Sequence, residues 1–343
     1  MKSNDKKRSM TKEEKIAKKL EKQALKEYRK DVERLNKLLV PVSKKTSESL
    51  GILSFDSKVA TIRKINNRWI KTFKIDGLNE DNRNDFIDDL MGILTIRSRI
   101  TSIFSQSETG RQIRTDYLTF FDVGAEYIDV KKSFDEEVAR INSNQNNIKV
   151  IEISSNCFMN QIRRNYLLDG LEVDFSALVK RNSNWRNDAY NKLSFVDDYF
   201  ELSDKKGVCM QIIQYPGIID NNVSDKLLDM NLPIMFVTDI QPLDNDDSED
   251  FRKVLERRYN TRISTSDKAY VNVGFTIVII TDSVEQKDEV IEDVQDLFSD
   301  NGMVITPVYG NTTDIVESSF TLGLKDYHSM RSLEASQVKQ LIV

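Results

Sequence analysis

Few side chains in this chain are placed to do chemistry. His328, in "KDYHSMRSL", is the only histidine, so a histidine triad or a histidine-rich metal site cannot be assembled. At that place in the sequence it reads as a surface residue. Cys157 and Cys209 sit in apolar contexts without the paired spacing of a metal site. They read as reduced, packed thiols. Phosphate binding needs spaced glycines ending in Lys-Ser/Thr, because backbone amides and an ammonium must converge on the oxygens. The strand-turn pattern "CMQIIQYPGIIDNN" (209–222) invites that reading. However, none of the twelve glycines is followed by Lys, and neither G-x-x-x-x-G-K-[ST] nor G-x-G-x-x-G occurs. The stretch is expected to turn a corner at Pro216-Gly217, with Asp220 to Ser224 capping the helix behind it. The acidic run "DNDDSED" (244–250) alternates oxygen donors, as a calcium loop does. It lacks the central glycine and the distal glutamate of such a loop and reads as a helix cap. A polar connection expected over 105–115 carries Arg111 and Arg114. It offers a partner or phosphate contact, or no more than an excursion between strands. No catalytic, cofactor-binding or metal-ligating residue is assigned, and no cofactor is expected in this chain.

Charge is segregated. Residues 1–46 hold 16 Lys/Arg against 7 Asp/Glu, leaving a net −14 on the rest of the 343-residue chain. A basic arm on an acidic body suggests a polyanionic partner: an anionic membrane surface or nucleic acid. The alternative is a solvated lysine-rich helix whose Lys interleave with Glu. The run "AYVNVGFTIVIIT" (269–281) is too short to span a bilayer. Its single Phe lacks the basic and aromatic companions of an RNA-binding strand, so it reads as buried. The start "MKSNDKKRSM" has no apolar segment behind it to serve as a secretory signal.

These residues must be held by elements, and the periodicities separate. Residues 11–40 predict one long helix, with Ile16, Leu20, Tyr28, Val32, Leu35 and Leu39 on a narrow stripe. Thr11 and Glu14 form a capping box and Pro41 ends the helix. Strands are expected around 50–55 and 58–64, and over 68–75 beyond a turn at Asn66-Asn67. Then follow helix 79–92, strands 96–104 and 118–123, helix 131–144 and strand 147–153. A helical linker is expected over 155–193 and a lead-in strand over 194–202. Strand 207–214, helix 222–230, strand 232–239, an extra helix 248–260, strand 270–281, helix 284–299 and strand 302–306 repeat the order. The expected class is α+β: a basic helical arm (1–46), two ferredoxin-like β-α-β-β-α-β units (47–154 and 194–325) and a C-terminal connector (326–343).

The stretch from Val196 to Pro242, with "YPGIID", "LLDMNLPI" and "DIQP" in that order, resembles the N-terminal region of the CagE/TrbE/VirB family. That family comprises the fourth VirB component of type IV secretion and conjugation machines. "VATIRKINNRWIKTFKI" and "YLTFFDVGAEYIDVKKSFDEEVARIN" resemble its earlier strands and helix. The resemblance covers roughly residues 50–325. It implies a docking and oligomerisation module at the cytoplasmic face of the inner membrane, peripheral to it. Expected partners are other channel subunits, a second copy of the chain, and an anionic membrane through residues 1–46. Family members continue into an ATPase domain that uses ATP and Mg. Here the sequence ends at "SLEASQVKQLIV", so the phosphate-binding lysine and acidic residues of that domain have no counterpart. The last segment is expected to be a connector toward a missing ATPase domain. A nucleic-acid-binding accessory protein using the basic arm, and an ATPase with an unrecognised site, are the alternatives.

Overall fold

The computed structural model describes residues 12–106, 112–144, 147–158, 160, 193–196, 198–202, 204–216, 219, 223–259, 270–309, 315–316, 318–319 and 330–342. The described elements run as follows: α1 (Lys12–Asn36), β1 (Leu39–Pro41), α2 (Lys44–Leu50), β2 (Ile52–Asp56), β3 (Thr61–Lys64), β4 (Arg68–Asp76), α3 (Glu80–Ile93), β5 (Arg97–Gln106), β6 (Gln112–Val123), α4 (Tyr127–Asn144) and β7 (Lys149–Glu152). Then come β8 (Leu193–Phe195), β9 (Phe200–Leu202), β10 (Lys205–Gln214), α5 (Val223–Asp229), β11 (Ile234–Pro242), α6 (Asn245–Tyr259), β12 (Tyr270–Thr281), α7 (Val284–Asp300), β13 (Val304–Pro307), β14 (Arg331–Glu334) and α8 (Ala335–Val338). The chain is α+β, as expected.

All these strands belong to one antiparallel sheet. In the first half the neighbours run β7-β4-β6-β5, and in the second β13-β10-β12-β11. The order is the same in both. The halves join where β5 pairs with β11, from Ile234↔Phe104 to Ile240↔Ser98. Each half also divides the outer edge of its first strand. β3 pairs with the start of β4 and β7 with its end, just as β9 and β13 share β10.

Local chemistry explains the corners. Asn66 and Asn67 turn the β3–β4 hairpin at φ of 61° and 54°, a left-handed region that Asn tolerates better than most residues. Asn79 caps α3 through the amides of Asp81 and Asn82, and Asn82 returns a bond to the Asn79 amide. Gly77 is required twice over: its φ is 85°, and a Cβ there would lie 2.3 Å from the Asn147 carbonyl oxygen.

Apolar residues alternate to both sides of the sheet. One face, with Phe120, Phe236, Phe275 and Ile277, is covered by α3, α4, α5 and α7. The other, with Ile62, Ile103, Val237 and Val278, lies under α2 and the segments around Phe158 and Val316. Phe120 touches Phe73 and Phe134 at ring separations of 5.6 and 6.1 Å and is fully buried.

Several boundaries depart from expectation. The first helix ends at Asn36 rather than running to Pro41. The residue before a proline is driven to extended backbone, so Leu39–Pro41 becomes an edge strand paired with β2. Much of the expected connection over 105–115 is strand: Ser105 and Gln106 face Ile113 and Gln112 across β5 and β6. Polar side chains hid this, because Asp116 is bonded by Ser102 at 2.7 Å and Arg114 at 2.8 Å inside the ladder. The lead-in strand over 194–202 is a hairpin of β8 and β9. α4 begins four residues early, at Tyr127, whose ring stacks on Trp69 with centroids 5.0 Å apart. The described part of the expected C-terminal connector is built into the body: β14 pairs with β12, and Val338, Leu341 and Ile342 are buried. Nearly all of the expected linker over 155–193 lies outside the described residues.

Candidate docking site

α1 projects from the body. Every residue from Ile16 to Lys30 is exposed, whereas Asp31, Val32 and Leu35 are half-buried. The C-terminal part lies along α4, where the Tyr28 hydroxyl donates to Asp129 at 3.0 Å. A groove of about 500 Å³ separates the two helices, with Asp31, Arg34 and Leu35 on one wall and Ile128, Lys132 and Ala139 on the other. Tyr28 lies beside the first turn of α4, and Leu35 shares the groove with α4. In the stretch before Tyr28, every residue from Ile16 to Glu27 is exposed. Ile16 and Leu20 are 51% and 62% exposed.

The arm has two chemically distinct sides. At 100° per residue, Lys18, Lys19, Lys22, Lys26, Arg29 and Lys30 share an arc of about 120°. Ile16, Leu20, Ala24, Tyr28, Val32 and Leu35 lie on the opposite side, and so do Glu21 and Glu27. The interleaving of Lys with Glu along the sequence is thus resolved in space. From Lys18 to Lys30 the cations form a stripe with no acid in it, and Glu33, a turn further on, falls on the same arc.

α7 has the opposite character. Val290, Val294 and Phe298 are buried against the sheet. Its exposed positions carry Glu285, Glu289, Glu292, Asp293, Asp296 and Asp300. Its one cation, Lys287, is turned inward to Asp198 and Asp288, both at 2.8 Å. Burial opposes the charge on Lys287, but the two carboxylates outweigh it and raise its pKa. Lys287 therefore adds nothing to the outer face. On α4, at the corresponding place in the first half, Lys132 pairs with Glu136 and Lys131 with Asp135. That helix neutralises itself.

Across the sheet from these helices lies an ionic centre. Arg99 on β5 and Asp239 on β11 form two hydrogen bonds, of 2.9 and 2.8 Å, across the seam between halves. Neither has any exposed surface. Arg99 also donates to the Ser318 carbonyl at 2.9 Å, and Arg97 stands 3.7 Å from Asp239. A second buried cation, Lys71, holds Glu152 at 2.6 Å and Asp135 at 3.3 Å. Both are structural: every charge is met by one opposite in sign.

The side chains that sequence singled out do not converge. Cys209 is buried on β10, where burial pushes its thiol pKa up and away from nucleophilic thiolate. Cys157 is half-buried elsewhere on the sheet's second face. Arg114 is bonded to Asp116 and stacked over Phe104. Arg111 and His328 lie outside the described residues. The acidic run starts a helix, as expected, but at Asn245, and Asp244 accepts from the Asp247 amide at 2.8 Å. Pro216 closes β10, while Asp220, Asn221 and Asn222 are outside the described residues. Arg99 and Asp239 were missed, and their sequence context carries no signal for the pair. Compared with known proteins, the chain matches no family model and no curated protein.

Proposed function

We propose that this chain is the non-catalytic docking and oligomerisation module of a conjugative type IV secretion ATPase of the CagE/TrbE/VirB kind. Its place is the cytoplasmic face of the membrane, and its body is a pair of ferredoxin-like units. The recurrent β-α-β-β-α-β order, with the fourth strand beside the first and the third between first and second, supports the fold reading. No helix among the described residues is long and apolar enough to cross a membrane, which fits peripheral attachment. The observation that carries the functional reading is the arm: fifteen consecutive exposed residues, 16–30, in a helix with one cationic and one apolar side. An isolated helix of this length is marginal in water, so such an element is maintained for contact.

The test is interference. Produced in excess in donor cells that carry the conjugative element, this chain should occupy docking positions and lower transfer at least tenfold. The same chain without residues 1–30 should lower it far less. Undiminished transfer, with the chain accumulating to high level, would overturn the reading. So would micromolar binding of ATP by calorimetry.

A further inference from the structure

We infer that the cationic stripe of α1 docks on the acidic outer face of α7 of a second copy of this chain, so that copies join end to side. The inference rests on the docking reading and names the partner. Lys18–Lys22, Lys22–Lys26 and Lys26–Lys30 are like-charged pairs four residues apart, which weaken an isolated helix. Opposite charge along the whole stripe removes that penalty. From Lys18 to Lys30 the stripe is about 18 Å long, and from Glu285 to Asp300 the α7 face is about 22 Å, at 1.5 Å per residue. Lengths and signs match.

Other helices fit less well. α3 is acidic, but Asp88 is held by Lys339 at 2.7 Å, and α8 packs beside it. α6 mixes Arg252 and Lys253 with Glu249 and Glu256 in its own ion pairs. α4 is self-neutralised and already carries α1. In the repeated strand order α7 holds the place of α4, between third and fourth strands, yet no helix covers its outer face among the described residues. Anionic lipid is a poorer match for the arm. Its apolar side is small and bears Glu21 and Glu27, which an anionic surface repels. The arm and α7 are different surfaces, so the contact is either reciprocated within a pair of copies or passed on into a ring or a chain of copies.

Sedimentation velocity of the full chain tests this. At about 0.1 M salt the mass should rise with concentration beyond that of one chain. At about 1 M salt, where the screening length falls from about 10 to about 3 Å, it should return to one chain. The triple variant Lys18→Glu, Lys22→Glu, Lys26→Glu should sediment as a single chain. So should Glu289→Lys, Glu292→Lys, Asp296→Lys. A one-to-one mixture of the two should associate again, because each supplies the face the other has lost. All six positions are exposed, so melting temperatures should match the parent chain. The salt series on the unaltered chain gives a second reading should a variant fail to fold. A single-chain mass at every concentration would overturn the inference. Association that survives the α7 substitutions would too, as would vesicle binding through the arm with no self-association. None of these bears on the transfer interference above, which would then call for a different partner.

Discussion

Asp239 sits where an error is least tolerated. Replacing it with Asn keeps the shape but leaves the Arg99 guanidinium buried without a counter-charge. Removing one partner of a buried pair costs about 3–5 kcal/mol, while replacing both with apolar groups costs far less. Asp239→Asn should therefore lower stability by about that amount in urea titration, and Arg99→Met with Asp239→Leu should recover most of it. A change under about 1 kcal/mol for Asp239→Asn would show that water reaches the pair. Sequence could not show this pair. Arg97 and Arg99 alternate with Ser98 and Ile100, a period that reads as one wet face and one dry face. Alternation states which residues share a face, not what covers it, and here Ser318 lies over Arg99. Tyr127 gives a pH signature of its own. Burial, assisted by Asp56 at 2.8 Å, raises its pKa far above the ordinary 10.0. The folded chain keeps the phenolic proton at pH values where the unfolded chain gives it up. Stability from this group is thus complete below pH 10 and falls above it, by up to about 1.4 kcal/mol per pH unit. Urea midpoints at pH 8 and pH 11 should fall further apart for the parent chain than for Tyr127→Phe; equal differences would remove Tyr127 as a cause.

Helices and strands were legible to different degrees. Strand β12 and helix α7 match their expected spans almost residue for residue, because long unbroken periodicities leave little choice. The end of α1 at Asn36 is not legible, since Pro41 marks where a helix cannot be rather than where it stops. The start of β6 is hidden because Asp116 and Arg114 look like loop residues, although they bond each other inside the ladder. The apolar stripe of α1 was legible, while its separation into a cationic side and a Glu-bearing apolar side emerges only on a helical cylinder. α1 also makes the sharpest prediction at this scale. With every residue from 16 to 27 exposed, their amides should exchange within seconds in dilute protein, close to the rate of an unstructured peptide. Amides at Val32 to Asn36, held against α4, should exchange at least tenfold more slowly. Exchange mass spectrometry at low and high concentration checks both, and protection of 16–27 should grow only as copies associate. Uniform protection across α1 in dilute protein would mean that the whole helix is already held.

At the scale of the molecule, the recurrence of one strand order in two halves raises the question of whether they fold as one unit. The sequence places a helical linker over 155–193 between them, which implies two domains. The sheet argues for a single cooperative body. β5 and β11 are not edges but an interior pair, with seven residues of each in register. Phe104 meets Phe236 edge-on at 5.8 Å across that seam, and Arg99 crosses it to Asp239. Unfolding one half alone would bare a long strand edge of the other, together with its apolar flanks and half of a buried ion pair. Each of those costs opposes a half-folded state. Calorimetry should therefore show one endotherm, with calorimetric and van't Hoff enthalpies equal. The sharper test places damage in one half only. Phe120→Ala, in the first-half core, should cost about 3–5 kcal/mol and lower that single transition by several degrees without splitting it. Two endotherms, with only the lower one moved by Phe120→Ala, would show that the halves unfold separately despite their shared sheet.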